Sequence, residues 1–446
     1  MIDKHNKKTK LIRDSFQSRL GFILAAVGSA VGMGNIWLFP YRVGEFGGAA
    51  FLIPYFIFVL VFGFTGVIGE IAFGRAMRAG PLVAFKKAME KRGKSYGEWI
   101  GFIPVIGSLA IAIGYSVVVG WILRFTFGAL TSKMLAAADS ASYFAEISGD
   151  FGSVGWHLAA LGFTFLIMLA GISKGIEKVN KILMPAFFVM FLILAVRVFF
   201  LPGANAGFNF LFQPEWAALK NPRTWVFALG QAFFSLSLAG SGTLVYGSYL
   251  SKKEDIVNAA IHIAVIDMIA AMLAALVIIP SVFAFNMDPT AGPALMFITM
   301  PEIFKQMPAG EIFASLFFIA VFFAGLSSLV NLFEAPIEAL QEKFNFSRRK
   351  AVAVIALISI AIGLFIENGS ILEEWMDIVS IYVIPLGALL AAIIFYWICG
   401  PDFVREQVEL GREKKLGRWF IPMSRYVFVG LTFIVYILGI FYGGIG

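Results

Sequence analysis

Long apolar runs, separated by charged residues or by Pro and Gly, recur along the whole chain. A helix needs about 20 apolar residues to cross a bilayer. By this measure we predict eleven membrane spans, at 19–43, 48–76, 98–128, 155–172, 177–200, 224–250, 256–285, 310–343, 350–367, 374–400 and 421–445. The pattern indicates an all-α polytopic membrane protein. The first run follows a basic, polar segment (1–18) and is too long for the core of a cleavable signal peptide.

The composition supports a membrane protein. Of the 446 residues, 59% are hydrophobic and 14% are charged, whereas soluble domains carry about 25% charged residues. These values exclude a water-soluble enzyme, a disordered chain and a nucleic-acid-binding protein, despite the net charge of +7. The single Cys399 excludes a disulfide framework, and three histidines with one thiol make no convincing zinc site.

Positive charges alternate between the two sides of the predicted spans. Lys and Arg cluster before the first span and after each even-numbered one. The opposite loops contain only Arg42, Lys133, Lys220, Arg223 and Lys305. By the positive-inside rule, the segment 1–18 is cytoplasmic, and with eleven spans the C-terminus lies outside. We expect a multi-pass protein of the cell membrane, in contact with the lipid bilayer. Its net positive charge follows from the Lys and Arg residues on the cytoplasmic side.

The first and sixth spans contain clusters of residues that disfavour a continuous helix. These clusters, Gly28–Asn35 and Ser237–Thr243, are rich in Gly and Ser, and each Gly costs about 1 kcal/mol relative to Ala in a helix. Small residues also serve close helix packing, which is the alternative interpretation. However, two breaks five spans apart are typical of inverted repeats with discontinuous helices. We predict repeats at 19–200 and 224–400, followed by an extra helix at 421–445.

Several motifs in these spans occur together in a known family. They are Arg19-Leu20-Gly21-Phe22-Ile23-Leu24, Gly32-Met33-Gly34-Asn35-Ile36-Trp37, Gly47-Gly48-Ala49, Gly74-Arg75, Gly120-Trp121, Gly230-Gln231-Ala232-Phe233-Phe234-Ser235-Leu236-Ser237-Leu238 and Ala324-Gly325-Leu326-Ser327-Ser328. In this order the chain resembles the neurotransmitter:sodium symporter family over ten spans. Eleven spans resemble its bacterial branch.

The resemblance implies a first sodium site made of Asn35, Ser235, Asp267 and the Ala30 carbonyl. Hard cations bind oxygen ligands of this kind. Hydrogen bonds between helices are the alternative for Asn35 and Ser235, but a carboxylate in the long apolar run around Asp267 is harder to explain in that way. Because Asp267 supplies a negative charge where chloride-dependent relatives have a neutral residue, we expect chloride independence.

The resemblance also implies a second sodium site. Its ligands are the hydroxyls of Ser327 and Ser328 and the carbonyls of Gly28, Val31 and Ala324. The alternative is that these serines bond back to the preceding helical turn. We therefore expect the protein to bind two sodium ions and no organic cofactor.

An amino acid is expected to bind between the broken helices. The peptide N–H groups of Met33 and Gly34 and the Tyr115 hydroxyl suit its carboxylate. Residues implied around the rest of the substrate are Ala30, Phe234, Ser235, Ser237 and Ser328, with Ile111, Val118, Phe234, Gly240 and Leu332 at its side chain. Amine-transporting relatives have an acidic residue at the position of Gly32, so Gly favours an amino acid. Gly240 indicates a bulky side chain.

The resemblance places two gates. Arg13 and Glu342, beside Tyr249, match a cytoplasmic ion pair, although both are also explained as solvated loop residues. Tyr115 and Phe234 match an outer aromatic lid. Asp377 matches an outer-gate carboxylate, but Leu38 replaces its usual Arg partner. Arg42 is one candidate replacement, and a gate without an ion pair is the other.

Two further features concern helix stability. Glu70 matches a carboxylate that supports the unwound part of the sixth span. Gly175 and Pro185 enclose nine residues at the start of the fifth span, and this pattern favours unwinding. A plain helix start is the alternative.

These features together predict a sodium-coupled amino-acid symporter, not an enzyme, acting as a monomer or weak homodimer. One alternative is an intramembrane serine hydrolase with Ser241 as nucleophile and His262 as base, which lacks an evident orienting acid. The other is a sodium-dependent receptor or channel on the same scaffold. Accumulation of substrate against a gradient distinguishes a transporter from both.

Overall fold

The computed structural model describes residues 14–238, 241–290, 292 and 294–446, and every regular element in these ranges is helical. The main helices are α1 (Arg19–Ala30), α2 (Gly34–Glu45), α3 (Ala49–Met77), α4 (Gly97–Leu130), α5 (Val154–Leu169), α6 (Ile172–Phe199), α7 (Pro222–Ser235), α8 (Gly242–Ser248), α9 (Ile256–Ala284), α10 (Gly310–Phe344), α11 (Arg348–Phe365), α12 (Gly369–Ile398) and α13 (Phe420–Tyr442). Shorter helices in the connections are Pro81–Glu90, Lys133–Ala136, Ser140–Ser148, Asn205–Phe212, Trp216–Lys220, Leu295–Thr299, Met300–Gln306 and Pro401–Glu409.

The helices confirm a protein with many membrane spans. Seven of them (α3, α4, α6, α9, α10, α12 and α13) are long and apolar enough to cross a bilayer, and α1 with α2 makes an eighth, bent by 54°. The remaining predicted spans correspond to α5, which has 16 residues, to α11, which starts with three basic residues, and to the pair α7 and α8. The count of eleven therefore stays a prediction.

Two predicted boundaries differ from the structure by several residues. The fifth span begins at Ile172 rather than 177, because Gly171, with φ of +84°, makes the whole turn after α5 and the next helix starts at once. The tenth begins at Gly369 rather than 374, because the Asn368 side chain accepts a hydrogen bond from Ser370 N (2.9 Å) and caps the helix. Charged residues that we assigned to loops therefore lie in the first helical turns.

The broken helices lie inside the bundle. The helix α1 packs against α6, α9 and α10, while α3 contacts α7 with its first half and α8 with its second. In contrast, only 33% of the most apolar 18-residue stretch of α6 and 28% of that of α13 are buried inside the protein. Large side chains such as Leu192, Phe199 and Phe441 point away from the protein, as expected for helices that face lipid.

Candidate functional site

The first and sixth spans are each interrupted near the middle. Between α1 and α2 the break covers residues 31–33, and between α7 and α8 the described residues 236–238 and 241 are not helical. Ser237 and Ser241 have φ of +53° and +54°, a left-handed conformation that cannot continue a helix of L-residues. Both interruptions predicted from Gly and Ser are therefore present, and each leaves free peptide groups in the bundle interior.

Three side chains predicted for the first sodium site meet beside these breaks. Asn35 Nδ2 donates to Asp267 Oδ1 (2.8 Å), and Ser235 Oγ donates to Asp267 Oδ2 (2.7 Å). Asn35 Nδ2 also lies 3.2 Å from Ser235 Oγ. All three side chains are at most 1% exposed. Ala30, also predicted for this site, is buried and ends α1, so its carbonyl lies at the interrupted end of the helix.

Two residues that we did not predict complete this cluster. Tyr55 of α3 is fully buried, and its hydroxyl lies 3.4 Å from Ser235 Oγ. Gln231 Nε2 donates to the carbonyl of Gly34 (2.8 Å) and so ties α7 to the start of α2. Gln231 belongs to the family motif Gly230–Leu238, so the sequence could have identified it. Tyr55 lies among apolar residues and belongs to none of the motifs, so nothing in the sequence indicated its role.

The second predicted site also has its residues together. Ser328 Oγ lies 3.2 Å from the carbonyl oxygen of Gly28 and 3.3 Å from those of Ser29 and Val31. Ser327 Oγ donates to the Ala324 carbonyl (2.9 Å), which is the back-bonding that we considered as the alternative. Three carbonyls from the break thus converge on one hydroxyl of α10.

The chemistry of both sites suits a monovalent hard cation. Apart from the Asn35 amide nitrogen, their polar atoms are oxygens of one carboxylate, hydroxyls and peptide carbonyls. Sites built from such oxygens select hard cations over soft transition metals. In the part of the chain that the structure describes, no group of three or more His, Cys, Asp or Glu side chains is placed to hold a metal ion.

A cavity of about 600 Å³ opens beside the first break. The Met33 peptide N–H, predicted for the substrate carboxylate, donates to the Tyr115 hydroxyl (3.1 Å), and a Cβ at Gly34 would meet no atom within 4 Å. The residues that line the cavity are Met33, Gly34, Trp37, Leu38, Tyr115, Val118, Trp121, Phe144, Ser148, Asn368, Gly369, Ser370, Leu372, Glu373, Met376 and Asp377. Ile111 and Leu332, predicted for the side-chain end, are half-buried and lie outside this lining.

The absence of a side chain at position 32 has a steric reason. A Cβ on Gly32 would lie 2.6 Å from Ser328 Oγ and 2.9 Å from the Tyr115 hydroxyl. Real Cβ atoms do not approach side chains so closely. A side chain at this position would therefore require Ser328 Oγ and the Tyr115 hydroxyl to move.

The sixth span contributes less to the cavity than predicted. Phe234 is half-buried and lines a separate narrow pocket with Val435, Gly439 and Ile445, and Tyr115 is not among the residues of that pocket. Ser237 Oγ donates to the Ser29 carbonyl (2.7 Å), which joins the two breaks. Gly240 lies outside the described residues.

Among the residues that the structure describes, no ion pair spans the cavity at the predicted outer gate. Asp377 and Leu38 both line the cavity. Arg42, the candidate replacement, instead pairs with Glu45 (2.9 Å), and its guanidinium lies 4.3 Å from the centre of the Phe227 ring.

On the opposite side, a buried ion pair that we did not predict joins α10 to α11. The carboxylate of Glu334 is fully buried and accepts two hydrogen bonds from Arg348 (2.8 Å each) and one from the Tyr249 hydroxyl (2.8 Å). Tyr249 therefore has a defined partner near the predicted inner gate. The sequence feature that could have indicated this pair is Glu334 itself, an acidic residue within the long apolar run of α10. Glu342 accepts a hydrogen bond from Gly80 N (3.1 Å), and Arg13 lies outside the described residues.

The residues predicted to control unwinding have contacts consistent with that role. Thr243 donates a hydrogen bond to Glu70, so this carboxylate holds the start of α8. Gly175 lies in the first turns of α6, where a Cβ would be 2.2 Å from the Ile167 carbonyl oxygen. Pro185 lies within α6 and lacks the N–H of a regular helix residue.

The chain segment before α1 is attached to this part of α6. Glu177 accepts hydrogen bonds from Gln17 N (2.7 Å), Ser18 Oγ (2.8 Å) and Lys181 Nζ (2.7 Å). Asp14 Oδ2 accepts from Ile172 N (2.6 Å) at the first residue of α6. We name these contacts of residues 14–18 with residues 172–181 the N-terminal clasp.

The residues of the hydrolase alternative are not brought together. Ser241 is buried in the break of the sixth span. His262 is exposed, and its ring Nδ1 lies 2.7 Å from the carbonyl of Asn258 on its own helix. A nucleophile and its base must lie within hydrogen-bond reach, so this arrangement does not support hydrolysis.

Comparison with known proteins agrees with the geometry. The sequence model described as the sodium:neurotransmitter symporter family matches residues 13–148 and 142–442. This chain belongs to that family. The match includes both broken helices and all residues that we predicted for the two sodium sites.

Individual relatives of this family share most of the chain. An uncharacterised sodium-dependent transporter of Methanocaldococcus jannaschii is 36% identical over 92% of this chain and 86% of its own. The sodium-dependent serotonin transporter of Drosophila melanogaster is 27% identical over 97% of this chain and 77% of its own. The crystal structure of MhsT in complex with L-phenylalanine has a TM-score of 0.86 and 34% identity, covering 96% of this chain and 100% of MhsT.

Membership establishes the general function. The family consists of sodium-coupled symporters, so this chain is a sodium-dependent membrane transporter and not an enzyme.

Proposed function

We propose that this chain is a sodium-coupled symporter that imports an amino acid by alternating access. The observation that carries the proposal is the position of the Met33 peptide N–H and the Tyr115 hydroxyl at the cavity wall, directly beside the buried cluster of Asn35, Ser235 and Asp267. Peptide N–H groups and the positive dipole end at a helix start favour carboxylates. An amino acid can therefore bind there with its carboxylate near the first cation.

The proposed substrate is a bulky apolar or aromatic amino acid. Gly32 supplies no acidic side chain that would pair with a monoamine, and a side chain there would require Ser328 Oγ and the Tyr115 hydroxyl to move. The cavity offers large apolar surfaces from Trp37, Val118 and Trp121. The similar structure of MhsT was determined in complex with L-phenylalanine, which supports the same class of substrate.

Two sodium ions are proposed as the coupled cations. The first would be held by Asn35, Ser235, Asp267 and the Ala30 carbonyl. The second would be held by Ser327 and Ser328 with carbonyls of Gly28, Val31 and Ala324. Because Asp267 carries the compensating charge itself, we propose transport without a chloride requirement.

The proposed transport cycle uses the eleven spans as two inverted repeats of five plus one helix, with the N-terminus in the cytoplasm. Sodium and substrate drive the cycle only if they bind one conformation better than the other. Both proposed cation sites include peptide carbonyls of residues 28–31, at the end of α1 and the start of the break, so cation binding stabilises one geometry of that break. The N-terminal clasp joins α1 to α6, and its release opens the cytoplasmic side.

Uptake by proteoliposomes tests this function. A panel of radiolabelled amino acids is presented with sodium, potassium or choline outside, and with chloride or gluconate as the anion. We expect accumulation of an apolar or aromatic amino acid above its external concentration, in sodium only and equally well in gluconate.

Each part of the proposal has its own contrary result. Uptake that is equal in potassium contradicts sodium coupling. Sodium-dependent binding without accumulation identifies a receptor, and equilibration without accumulation identifies a channel. Loss of uptake in gluconate contradicts chloride independence.

A further inference from the structure

One buried polar atom of α6 has no hydrogen-bond partner among the residues that the structure describes. It is the side-chain oxygen Oδ1 of Asn180, a residue that is 1% exposed. The nitrogen of the same side chain, Nδ2, donates to the Ile176 carbonyl one turn earlier (2.9 Å). Because buried oxygens in native proteins are nearly always paired, the unpaired Oδ1 calls for an explanation.

The orientation of this carboxamide is fixed by its own helix. A peptide carbonyl only accepts hydrogen bonds, so the group that faces the Ile176 carbonyl must be the amide nitrogen. Oδ1 lies on the other side, against α1. A Cβ at Gly28 would overlap Asn180 Oδ1 and would lie 3.0 Å from Ser327 Cβ. Asn180 Oδ1 and Ser327 therefore border the same side of Gly28.

The residues that border Asn180 Oδ1 are those of the proposed second sodium site. The Gly28 carbonyl lies 3.2 Å from Ser328 Oγ, and Ser327 is the neighbour of Ser328 on α10. All ligands proposed above for this site come from the end of α1, the break that follows it, and α10. Asn180 Oδ1 adds an oxygen from a third helix, α6.

The surroundings of Oδ1 favour a cation over a hydrogen-bond donor. A hydroxyl has a single hydrogen to donate. Ser327 directs its hydrogen to the Ala324 carbonyl (2.9 Å), and Ser328 Oγ lies within 3.3 Å of three carbonyls of residues 28–31. Neither serine therefore has a hydrogen for Asn180. A hard cation, in contrast, binds several carbonyl, carboxamide and hydroxyl oxygens at once.

A second contact between the same two helices shows how Asn180 differs from its neighbour. A Cβ at Gly21 of α1 would overlap the carboxylate of Glu177. However, Glu177 accepts hydrogen bonds from Gln17, Ser18 and Lys181. Both side chains face glycines of α1, but Glu177 is satisfied by protein groups and Asn180 Oδ1 is not. Packing against α1 is therefore not a sufficient account of Asn180.

We propose that Asn180 Oδ1 is a further oxygen ligand of the second cation and makes α6 part of that site. The inference rests on the proposed function, because it extends the proposed second sodium site. The other ligands join α1 to α10. With Asn180, cation binding also joins α1 to the first turns of α6, between Gly175 and Pro185. The wound form of this segment is then favoured while the cation is bound.

Amide hydrogen exchange tests the link to α6 without transport. The purified protein is compared in sodium chloride and in potassium chloride of equal concentration. We expect sodium to slow exchange in residues 176–184 about three- to tenfold, and Asn180→Ala to remove this difference. A side chain that only packs affects exchange equally in both salts. An Asn180→Ala protein that keeps the full sodium effect therefore overturns the proposal.

Equilibrium binding of radioactive sodium to the purified protein tests the ligand itself. We expect Asn180→Ala to lower the apparent sodium affinity about three- to tenfold, and Ser328→Ala to lower it as well. Side chains that hold the same ion are coupled, so the double variant is expected to bind only slightly more weakly than the weaker single variant. Unchanged affinity in Asn180→Ala, or independent effects that multiply, overturn the proposal.

A second variant keeps the oxygen and changes its charge. Asn180→Asp is expected to bind sodium more tightly than the unmodified protein, because an anionic ligand raises the affinity of a site for hard cations. Unchanged or weaker sodium binding by Asn180→Asp contradicts the assignment. This measurement decides the question if Asn180→Ala does not fold.

The matched control is Thr164→Val, which removes a fully buried side-chain oxygen of α5 that bonds to the Ala160 carbonyl of its own helix (2.8 Å). We expect its sodium affinity, and the effect of sodium on exchange in residues 176–184, to match those of the unmodified protein. A loss as large as that of Asn180→Ala would show a general effect of buried polar groups and overturn the proposal. Absence of sodium binding by the unmodified protein would instead contradict the proposed function.

Discussion

At the scale of single residues, the buried polar side chains of the ion sites are explained by their mutual contacts. Asp267 is fully buried, yet both carboxylate oxygens accept hydrogen bonds, from Asn35 and Ser235. A charged group inside a membrane protein is tolerated only with such partners. The carboxylate therefore organises two other helices around itself.

The first prediction concerns this carboxylate. Asp267→Asn keeps the size of the side chain but removes its charge. Charge-assisted hydrogen bonds contribute about 1.5–3 kcal/mol, so we expect apparent sodium affinity to fall about ten- to a hundredfold. Uptake measured against sodium concentration, with and without chloride, checks this, and added chloride is expected to restore part of the loss.

The control for this variant is Asp288→Asn, in an exposed turn where the carboxylate only caps Thr290. We expect its sodium dependence to match that of the unmodified protein. If Asp267→Asn transports with unaltered sodium affinity in chloride-free medium, our account of the carboxylate is wrong.

Sequence reasoning found residues of this kind where a polar group interrupts an apolar run. Asn35, Ser235, Asp267 and Ser328 could be singled out in this way and through the family resemblance, and the structure places them at the two breaks. The partners Tyr55 and Glu334 could not be assigned, because pairing depends on which helix faces lie together. A sequence pattern shows that a residue is buried without showing its neighbour.

At the scale of elements, the breaks in the first and sixth spans were predictable because Gly and Ser are poor residues for a helix interior. The boundaries of α6 and α12 were less predictable. One glycine at position 171 makes a complete turn, and Asn368 caps a helix whose first turns contain acids. Tertiary packing therefore extends helices into segments that hydropathy assigns to loops.

The second prediction concerns the N-terminal clasp. The Glu177 carboxylate accepts hydrogen bonds from Gln17, Ser18 and Lys181. Glu177→Gln keeps the shape of this side chain but removes its charge. With bonds weakened by about 1–2 kcal/mol, the start of α6 should open more often. Amide hydrogen exchange in residues 172–177 is expected to accelerate about tenfold.

The comparison variant for the clasp is Glu146→Gln, which removes an exposed ion pair with Arg124. We expect exchange in residues 172–177 to stay as it is in the unmodified protein. Slow exchange in Glu177→Gln would mean that the clasp does not hold this end of α6.

At the scale of the whole molecule, two short helices in different connections hold each other. Glu302, in the helix Met300–Gln306, accepts hydrogen bonds from Ser140 N (2.7 Å), Ser140 Oγ (2.6 Å) and Lys305 Nζ (2.9 Å). Burial acts to raise the pKa of Glu302, but the hydrogen bonds from Ser140 and Lys305 outweigh it, so the pKa lies below the ordinary value. This contact joins connections that are about 160 residues apart in sequence.

The third prediction follows from that lowered pKa. The contact stabilises the protein fully above the ordinary Glu pKa of about 4.3, and this stability is lost as the pH falls through the lower folded value. We expect the melting temperature of the unmodified protein to exceed that of Glu302→Gln at neutral pH, and the difference to vanish in acid.

Thermal unfolding in detergent between pH 3 and pH 7 checks this, with Glu311→Gln, at the exposed start of α10, as the control. A difference between the unmodified protein and Glu302→Gln that persists unchanged at the lowest pH would contradict the assigned role of the carboxylate.

The general architecture of the molecule was accessible from hydropathy, since lipid requires long apolar helices. The contacts between connections were not, because Ser140, Glu302 and Lys305 lie in polar segments where many residues could pair.

The cavity beside the first break has one property that bears on which solutes approach it. Besides Tyr115, its ionisable lining groups among the described residues are Glu373 and Asp377, and it has no basic lining residue. Two carboxylates in the lining of a cavity create a negative potential that concentrates cations and repels anions. For the proposed amino-acid substrate, we therefore expect the cavity to disfavour glutamate and aspartate.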